Sequence, residues 1–255
     1  MNKTLLITGA TSGIGYHTVV KFAKEGWDII ATGRRSENLK KLEHYLQNDL
    51  NIKRSIELLN FDVRNNDEVN NHLSKVLEKN IKIDLLINNA GLSLGLDNFE
   101  EAELEDWNNM LDTNVKGLLY VSKIISNHMK KFKQGHIINI GSIAGYNVYP
   151  KGHVYCASKF AVRAISEGMR EDLAQYHIKV SSLNPGMVDT EFSIVRFKGD
   201  EEKAKQVYNG FKPLTGEDIA ETLYYMATAP DHVNLSEVII LPKAQSNAYF
   251  TQREL

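Results

Sequence analysis

The alternation of short apolar runs with longer helix-patterned segments is the feature that most constrains the fold of this chain. Seven runs are rich in aliphatic residues, and several are apolar on both faces, as in strands that helices cover on each side. Between them, apolar residues such as Val69, Leu73 and Val76 recur about every 3.6 positions. The pattern predicts a doubly wound parallel α/β sheet of about seven strands with helices on both faces. The predicted strands span residues 5–7, 28–31, 56–59, 85–87, 136–140, 180–183 and 238–241.

No stretch rich in Pro, Gly or Ser divides the sequence, so we predict a single domain over residues 1–255. The least regular stretch is residues 190–212, which is charged and aromatic and follows Asn184-Pro185-Gly186. We expect this stretch, called the lid below, to be an insertion at the edge of the sheet that covers the substrate.

Composition and charge narrow the class of protein. The residues are 42% hydrophobic and 24% charged, which is ordinary for a soluble globular protein, and the net charge of −2 lacks the basic excess typical of nucleic-acid and anionic-membrane binding. A single cysteine, Cys156, excludes an internal disulfide, and no apolar stretch approaches the roughly 18 residues of a membrane helix. None of the eight histidines has metal-ligand spacing. We therefore expect a cytoplasmic protein without a nucleic-acid partner, a membrane partner or a metal.

A glycine-rich loop, Thr8–Gly15, directly follows the first predicted strand and leads into a helix-compatible segment. Glycines let the backbone turn tightly and approach a pyrophosphate, whose charge then faces the positive end of the helix. The glycines alone could merely build a tight turn, but their place after the first strand of an alternating α/β chain favours a dinucleotide site. The predicted phosphate-binding residues are Gly9, Thr11, Ser12, Gly13, Ile14 and Gly15.

The end of the second strand indicates which dinucleotide binds. NAD-binding folds place a carboxylate there to hold the ribose 2′-hydroxyl, whereas this chain has Gly33 followed by Arg34 and Arg35. A guanidinium can bond a 2′-phosphate bidentately, while a carboxylate would repel it. The alternative is that both arginines are solvated loop residues. With the glycine loop nearby, we predict NADP.

A tyrosine and a lysine, Tyr155 and Lys159, stand one helical turn apart on the same face of a predicted helix. A phenol titrates near 10 in water, so a nearby cation would make it an acid and base useful around neutral pH. Ser142 lies 13 residues upstream, at the strand edge where α/β sheets bind ligands, and could hydrogen-bond the reacting oxygen. Each of these signals is weak when taken alone.

Taken together, the motifs resemble the short-chain dehydrogenase/reductase superfamily. Those that match in order and spacing are Thr8–Gly15, Asn88–Gly91, Asn114, Ser142, Tyr155, Lys159 and Pro185-Gly186, so the resemblance covers essentially the whole chain. It implies a Rossmann-type sheet with Tyr155 as the general acid and base. By the same resemblance, Lys159 would lower the pKa of Tyr155 and hold the nicotinamide ribose. Ser142 would orient the substrate, and Asn114 would hold a water in a proton relay to Lys159.

The resemblance also implies a set of cofactor contacts. Asp62 and Val63 would lie beside the adenine, Asn89, Ala90 and Gly91 beside its ribose, Pro185, Gly186 and Val188 against the nicotinamide, and Thr190 near its carboxamide or phosphate.

A narrower resemblance is to the branch of NADP-dependent 3-hydroxy acid dehydrogenases, which act on serine, allo-threonine and related acids or reduce malonic semialdehyde, and are usually tetramers. The matching segments are residues 31–35, 112–118, 135–142 and 191–200. This implies a homotetramer acting on a small hydroxy or keto substrate. One departure leaves the exact substrate open, since Val188-Asp189-Thr190 is shorter than the glycine-containing loop expected in bacterial members.

Three functions are compatible with these motifs. They are oxidation or reduction of a small 3-hydroxy acid or semialdehyde, reduction of bulkier neutral ketones or diketones, and dinucleotide sensing without catalysis. Sensors typically lack the tyrosine or the lysine, which this chain keeps. Arg196 and Lys198 in the lid favour an anionic substrate, and Arg196 is the candidate for its carboxylate. The alternative is that Arg196 is an exposed lid residue or binds a neighbouring subunit.

Overall fold

The computed structural model describes residues 2–254. Within them the chain forms a seven-stranded parallel sheet with the strand order β3-β2-β1-β4-β5-β6-β7. The strands are β1 (Thr4–Ile7), β2 (Asp28–Gly33), β3 (Ile56–Asn60), β4 (Leu85–Asn88), β5 (Gly135–Ile140), β6 (Ile178–Pro185) and β7 (Glu237–Ile240). The predicted parallel α/β sheet is confirmed, with β2 and β6 extending two or more residues beyond their predicted ends.

Helices cover both faces of the sheet. They are α1 (Gly13–Lys24), α2 (Ser36–His44), α3 (Asn66–Glu78), α4 (Leu104–Leu111), α5 (Leu118–Phe132), α6 (His153–Ala174), α7 (Glu191–Arg196), α8 (Glu201–Gln206) and α9 (Gly216–Thr228). Two π-helical turns, Tyr45–Asp49 and Asp112–Gly117, continue α2 and join α4 to α5. No helix within residues 2–254 is long and apolar enough to cross a bilayer.

The apolar residues of the central strand β1 do not alternate with polar ones, and the packing of the strand explains why. Leu5 belongs to the core cluster that includes Phe22 of α1 and Leu223 of α9, while its neighbour Leu6 belongs to the opposite cluster with Leu73 of α3. Successive strand residues point to opposite faces, so both must be apolar when helices cover both sides. The central strands are therefore fully buried, and their carboxyl ends are held in fixed positions relative to one another.

The lid is more regular than its sequence predicts. It contains the two short helices α7 and α8, and side-chain oxygens cap both of them: Thr190 Oγ1 accepts from the Phe192 N–H, and an Asp200 carboxylate oxygen accepts from the Lys203 N–H. Each helix has six residues, fewer than two turns, so neither shows a hydrophobic period. The caps are the local signal that the expectation of an irregular insertion overlooked.

Candidate active site

The carboxyl ends of the central strands border a cleft of about 730 Å³. Most of the predicted site residues line this cleft: Gly9, Thr11, Ser12, Gly13, Ile14, Arg34, Arg35, Asp62, Val63, Asn89, Ala90, Gly91, Ser142, Tyr155, Lys159, Pro185, Gly186, Val188 and Thr190. The remaining three, Gly15, Asn114 and Arg196, lie outside the lining. The topology thus brings together residues that are up to about 180 positions apart, as expected where parallel strands end at one edge.

The glycine loop joins β1 to α1. Gly9 and Gly13 have φ angles of +70° and +52°, which favour glycine. A Cβ on Gly15 would clash with the Gly9 carbonyl oxygen, so this third glycine permits close packing of the loop and does not face the cleft. The Ser12 side chain makes no hydrogen bond to the first turn of α1, and that turn has no acidic residue. Backbone N–H groups at this helix start are therefore available to an anion, which is the environment that a phosphate group requires.

The two predicted phosphate-binding arginines lie at one end of the cleft and already have partners. Arg34 Nη1 lies 3.5 Å from Asp62 Oδ2. Arg35 donates from Nη2 to Ser12 Oγ at 2.6 Å and from Nη1 to Glu191 Oε2 at 2.9 Å. Glu191 is the first residue of α7, and the sequence analysis did not single it out as a partner.

Ser142, Tyr155 and Lys159 lie at the other end of the cleft, each with less than a tenth of its surface exposed. Ser142 follows β5, and its Oγ accepts from the Ala144 N–H at 3.1 Å. The other two project from the first turns of α6, and Lys159 Nζ donates to the Ile140 carbonyl oxygen at 2.9 Å. The serine and the lysine are therefore both fixed to backbone groups near the end of β5.

Burial has the largest influence on the pKa values of Tyr155 and Lys159. It raises the pKa of Tyr155, while the positive charge of Arg196 and a hydrogen bond with Ser142 act in the opposite direction. Burial lowers the pKa of Lys159 to about 8. Lys159 Nζ lies 5.9 Å from the centre of the Tyr155 ring, so within this structure the cation that most favours the phenolate is Arg196. The role of Lys159 in lowering the Tyr155 pKa stays a prediction.

Asn114 connects two parts of the site. It lies in the π-helical turn before α5, and its amide nitrogen donates to the Leu92 carbonyl at 2.8 Å and to Ser158 Oγ at 3.0 Å. Its Oδ1 accepts from the Leu92 N–H at 2.8 Å. Both amide protons are therefore used, and a water beside Asn114 would have to donate to one of its carbonyl oxygens. The predicted water relay to Lys159 stays a prediction.

Arg196, the last residue of α7, lies against the aromatic part of the site. Its guanidinium carbon is 5.3 Å from the centre of the Tyr155 ring and 5.2 Å from that of Phe192. It donates from Nε to Ser93 Oγ at 3.1 Å and from Nη2 to Tyr149 Oη at 2.9 Å. Sequence reasoning did not identify Tyr149 or Ser93, although Tyr149 lies only six positions before Tyr155 in the sequence.

Lys198 differs from its neighbour Arg196. Its Nζ forms an ion pair with Oδ2 of Asp106, a residue of α4, at 2.8 Å. Because the Lys198 charge is paired with Asp106 and Lys198 does not line the cleft, its expected part in favouring an anionic substrate stays a prediction. Of the two lid cations, Arg196 is the one that lies against Tyr155.

A buried polar network fixes α6 to the sheet. Asn88 Nδ2 donates to Asn139 Oδ1 and Ser122 Oγ, both at 2.8 Å, and Asn139 Nδ2 donates to Ser166 Oγ at 2.9 Å. The two asparagines therefore hold α5 and α6 against β4 and β5.

Comparison with known proteins decides the family. A family model described as short chain dehydrogenase matches residues 3–201. The chain belongs to the short-chain dehydrogenase family. The resemblance inferred from the motifs is confirmed.

Among curated short-chain dehydrogenases, the chain is 42% identical over 245 residues to the NADP-dependent 3-hydroxy acid dehydrogenase YdfG of Escherichia coli strain K12, covering 96% of each protein. It is 38% identical over 250 residues to the serine 3-dehydrogenase of Agrobacterium fabrum, covering 98% of each. The solved closed form of a serine dehydrogenase complexed with NADP+ is similar with a TM-score of 0.91 and 40% identity, covering 99% of this chain and 100% of that one.

The cleft fits the dinucleotide that short-chain dehydrogenases use. Three observations support the fit: uncapped N–H groups at the start of α1, two arginines at one end, and the buried Tyr155 with Lys159 at the other. Within residues 2–254 no cluster of His, Cys, Asp or Glu side chains is arranged to hold a metal.

Proposed function

We propose that this chain is an NADP-dependent oxidoreductase that moves a hydride between the nicotinamide and a small 3-hydroxy acid, or its semialdehyde or keto form. Serine, allo-threonine and 3-hydroxypropionate are the substrate types. The observation that best supports this is one continuous cleft with Arg34 and Arg35 at one end and Ser142, Tyr155 and Lys159 at the other. The curated relatives named above act on such acids, and they align over nearly the whole chain.

The cofactor contacts follow from the lining of the cleft. The N–H groups at the start of α1 would hold the pyrophosphate, Arg34 and Arg35 the 2′-phosphate, and Lys159 the nicotinamide ribose. When bound, NADP supplies or accepts the hydride. Asp62, Val63, Asn89, Ala90, Gly91, Pro185, Gly186, Val188 and Thr190 would complete the binding site.

The proton moves through the side chains of this chain. In the oxidation direction the Tyr155 phenolate takes the proton of the substrate hydroxyl, and in reduction the phenol returns it. Ser142 Oγ accepts from the Ala144 N–H, so its own proton is free to be donated, to Tyr155 in this structure and to the substrate oxygen when a substrate is bound. The charge of Arg196 favours the phenolate against the burial that disfavours it.

Arg196 also accounts for the proposed preference for substrates that carry a carboxylate. Within residues 2–254 it makes no ion pair, and its Nη1 has no hydrogen-bond partner. A partly buried cation of this kind can offset the cost of enclosing a substrate carboxylate. Tyr149 and Ser93 accept hydrogen bonds from its other two nitrogens, so they would fix the orientation of the guanidinium. The alternative is that Arg196 serves only to hold the lid against the rest of the site.

A substrate panel tests this function. NADPH oxidation and NADP reduction are measured with serine, 3-hydroxypropionate, malonic semialdehyde and neutral diketones. We expect the acids and the semialdehyde to have the highest kcat/KM, and NADP to be preferred over NAD. Faster turnover of the neutral diketones would favour the reductase alternative. Cofactor binding without any turnover would favour a sensing protein.

A homotetramer is also part of the proposal. Large apolar side chains are exposed on the surfaces of α4, α9 and β7, including Leu104 at 67%, Tyr225 at 69% and Ile239 at 50%. A homotetramer would bury apolar side chains of this kind in its subunit contacts. Light scattering after gel filtration tests it, and a monomeric mass would contradict it. The cytoplasmic location stays a prediction.

A further inference from the structure

Arg35 lies between the glycine loop and the lid. Its Nε and Nη2 donate to Thr11 Oγ1 at 3.3 and 3.1 Å, and Nη2 also donates to Ser12 Oγ at 2.6 Å. Its remaining nitrogen, Nη1, contacts Glu191 Oε2 at 2.9 Å. Both charged side chains are about half exposed, at 48% and 49%, and both line the cleft. The only anionic partner of Arg35 within residues 2–254 is therefore contributed by the lid.

The carboxylate and a phosphate group are chemically equivalent partners for this guanidinium. Each offers oxygen acceptors with negative charge, and each forms short charge-assisted hydrogen bonds with arginine. The hydroxyls of Thr11 and Ser12 are neutral and can keep their bonds when an anion arrives. The carboxylate of Glu191 cannot stay at 2.9 Å from Nη1 without repelling a phosphate dianion at the same guanidinium.

We propose that Glu191 is a specificity-determining residue that competes with the cofactor 2′-phosphate for Arg35. This inference rests on the proposed binding of NADP. Glu191 weakens the binding of the phosphorylated cofactor and leaves the binding of NADH unchanged, because NADH brings no anion to Arg35. The preference of the wild-type protein for NADPH is therefore smaller than its two arginines alone would give.

Direct binding measurements test the competition without any substrate. Dissociation constants for NADPH and NADH are measured by calorimetry on the wild-type protein and on Glu191→Gln. We expect the variant to bind NADPH about two- to fivefold more tightly, which is the range for a half-exposed ion pair. NADH binding should stay the same. The gain should shrink at high salt, because exposed charges are screened.

Two controls define the site of the effect. Glu201→Gln removes the same charge from α8, where the carboxylate has no ion pair within residues 2–254, and it should leave both constants unchanged. In an Arg35→Ala background, Glu191→Gln should no longer improve NADPH binding, because the shared partner is gone.

The outcomes separate this inference from the proposed function. If the wild-type protein binds NADPH no better than NADH, the proposed function fails before any variant is compared. If it prefers NADPH but Glu191→Gln weakens or does not change NADPH binding, then Glu191 serves to position Arg35. The proposal that it competes with the 2′-phosphate is then wrong. Equal gains for NADPH and NADH would also overturn it, since the effect would not depend on the 2′-phosphate.

Discussion

The two sides of the cleft are built differently. On the sheet side, Ser142, Tyr155 and Lys159 are buried, and the Ser142 and Lys159 side chains hydrogen-bond to backbone groups at the end of β5 and just after it. On the lid side, polar side-chain pairs such as Glu191 with Arg35 and Lys198 with Asp106 hold α7 in place, and their lysine, arginine and glutamate side chains are about half exposed. Half-exposed ion pairs contribute little free energy and can exchange partners. Changes on the sheet side should therefore affect the chemical step, and changes on the lid side should affect affinity and selectivity.

The largest effect is expected from Tyr155→Phe. The substitution keeps the ring against Phe192 but removes the transferable proton. We expect kcat to fall by roughly 10²–10⁴, the usual scale for losing a general acid or base. The measurement is steady-state turnover of the best substrate in the panel.

Cofactor binding is the control for this variant, since the phenol hydroxyl would contact the reacting oxygen. The NADPH dissociation constant should stay close to the wild-type value. A variant that keeps more than a tenth of the turnover would contradict the role of Tyr155.

A smaller effect is expected at the arginine end of the cleft. Replacing Arg34 and Arg35 by Ala should reduce the ratio of NADPH to NADH efficiency at least tenfold, because charge-assisted hydrogen bonds contribute about 1.5–3 kcal/mol each. NADH use should stay similar or improve. Replacing Lys40 and Lys41 by Ala is the charge-matched control, since both are exposed lysines of α2. An unchanged ratio would mean that both arginines are surface residues.

The sheet side of the site was predictable from the sequence because its signals are local. An apolar run without alternation indicates a strand buried on both faces, and Leu5 and Leu6 do point to opposite clusters. The glycine loop is continuous in sequence. Tyr155 and Lys159 are one turn apart on α6. Each of these patterns reports its own short-range geometry, so the fold and most cleft-lining residues could be inferred.

The lid side could not be predicted in the same way, because its contacts join distant positions. Glu191 and Arg35 are 156 residues apart, and Arg196 and Ser93 are 103 residues apart. No spacing rule relates such pairs. Lys198 has the same charge as Arg196 and lies two positions further along, yet its ion pair with Asp106 directs it away from the cleft. Which lid cation faces the tyrosine depends on this tertiary contact.

Arg196→Ala tests whether the lid recognises the acid. We expect the KM for serine or 3-hydroxypropionate to rise at least tenfold, since one charge-assisted bond contributes about 1.5–3 kcal/mol. The KM for small neutral ketones should stay close to the wild-type value. Lys198→Ala is the matched control, because it removes a lid cation that contacts Asp106 and not the tyrosine. Equal losses on charged and neutral substrates would show that Arg196 organises the lid.

The smallest effect concerns the stability of the sheet side, where burial of Lys159 has a cost that depends on pH. Burial lowers its pKa from 10.5 to about 8, so between these values the unfolded chain binds more protons at this residue than the folded chain does. Stability must then rise with pH in this window, and the penalty is fully present below pH 8. From pH 7 to pH 9 the gain from this one residue is about 1 kcal/mol, on the basis of 1.36 kcal/mol per pKa unit.

Lys159→Met isolates this contribution, since it keeps most of the aliphatic chain and removes the ammonium. Denaturant unfolding of the cofactor-free protein at pH 7 and pH 9 gives the free energy of unfolding for both forms, and the other titrating groups cancel in the difference between them. The wild-type protein should gain about 1 kcal/mol more than the variant over this interval. An equal or smaller gain would mean that the buried ammonium is not penalised at neutral pH. The lysine would then have to be stabilised by solvent or by movement of its surroundings, and the sheet side would be less rigid than its hydrogen bonds indicate.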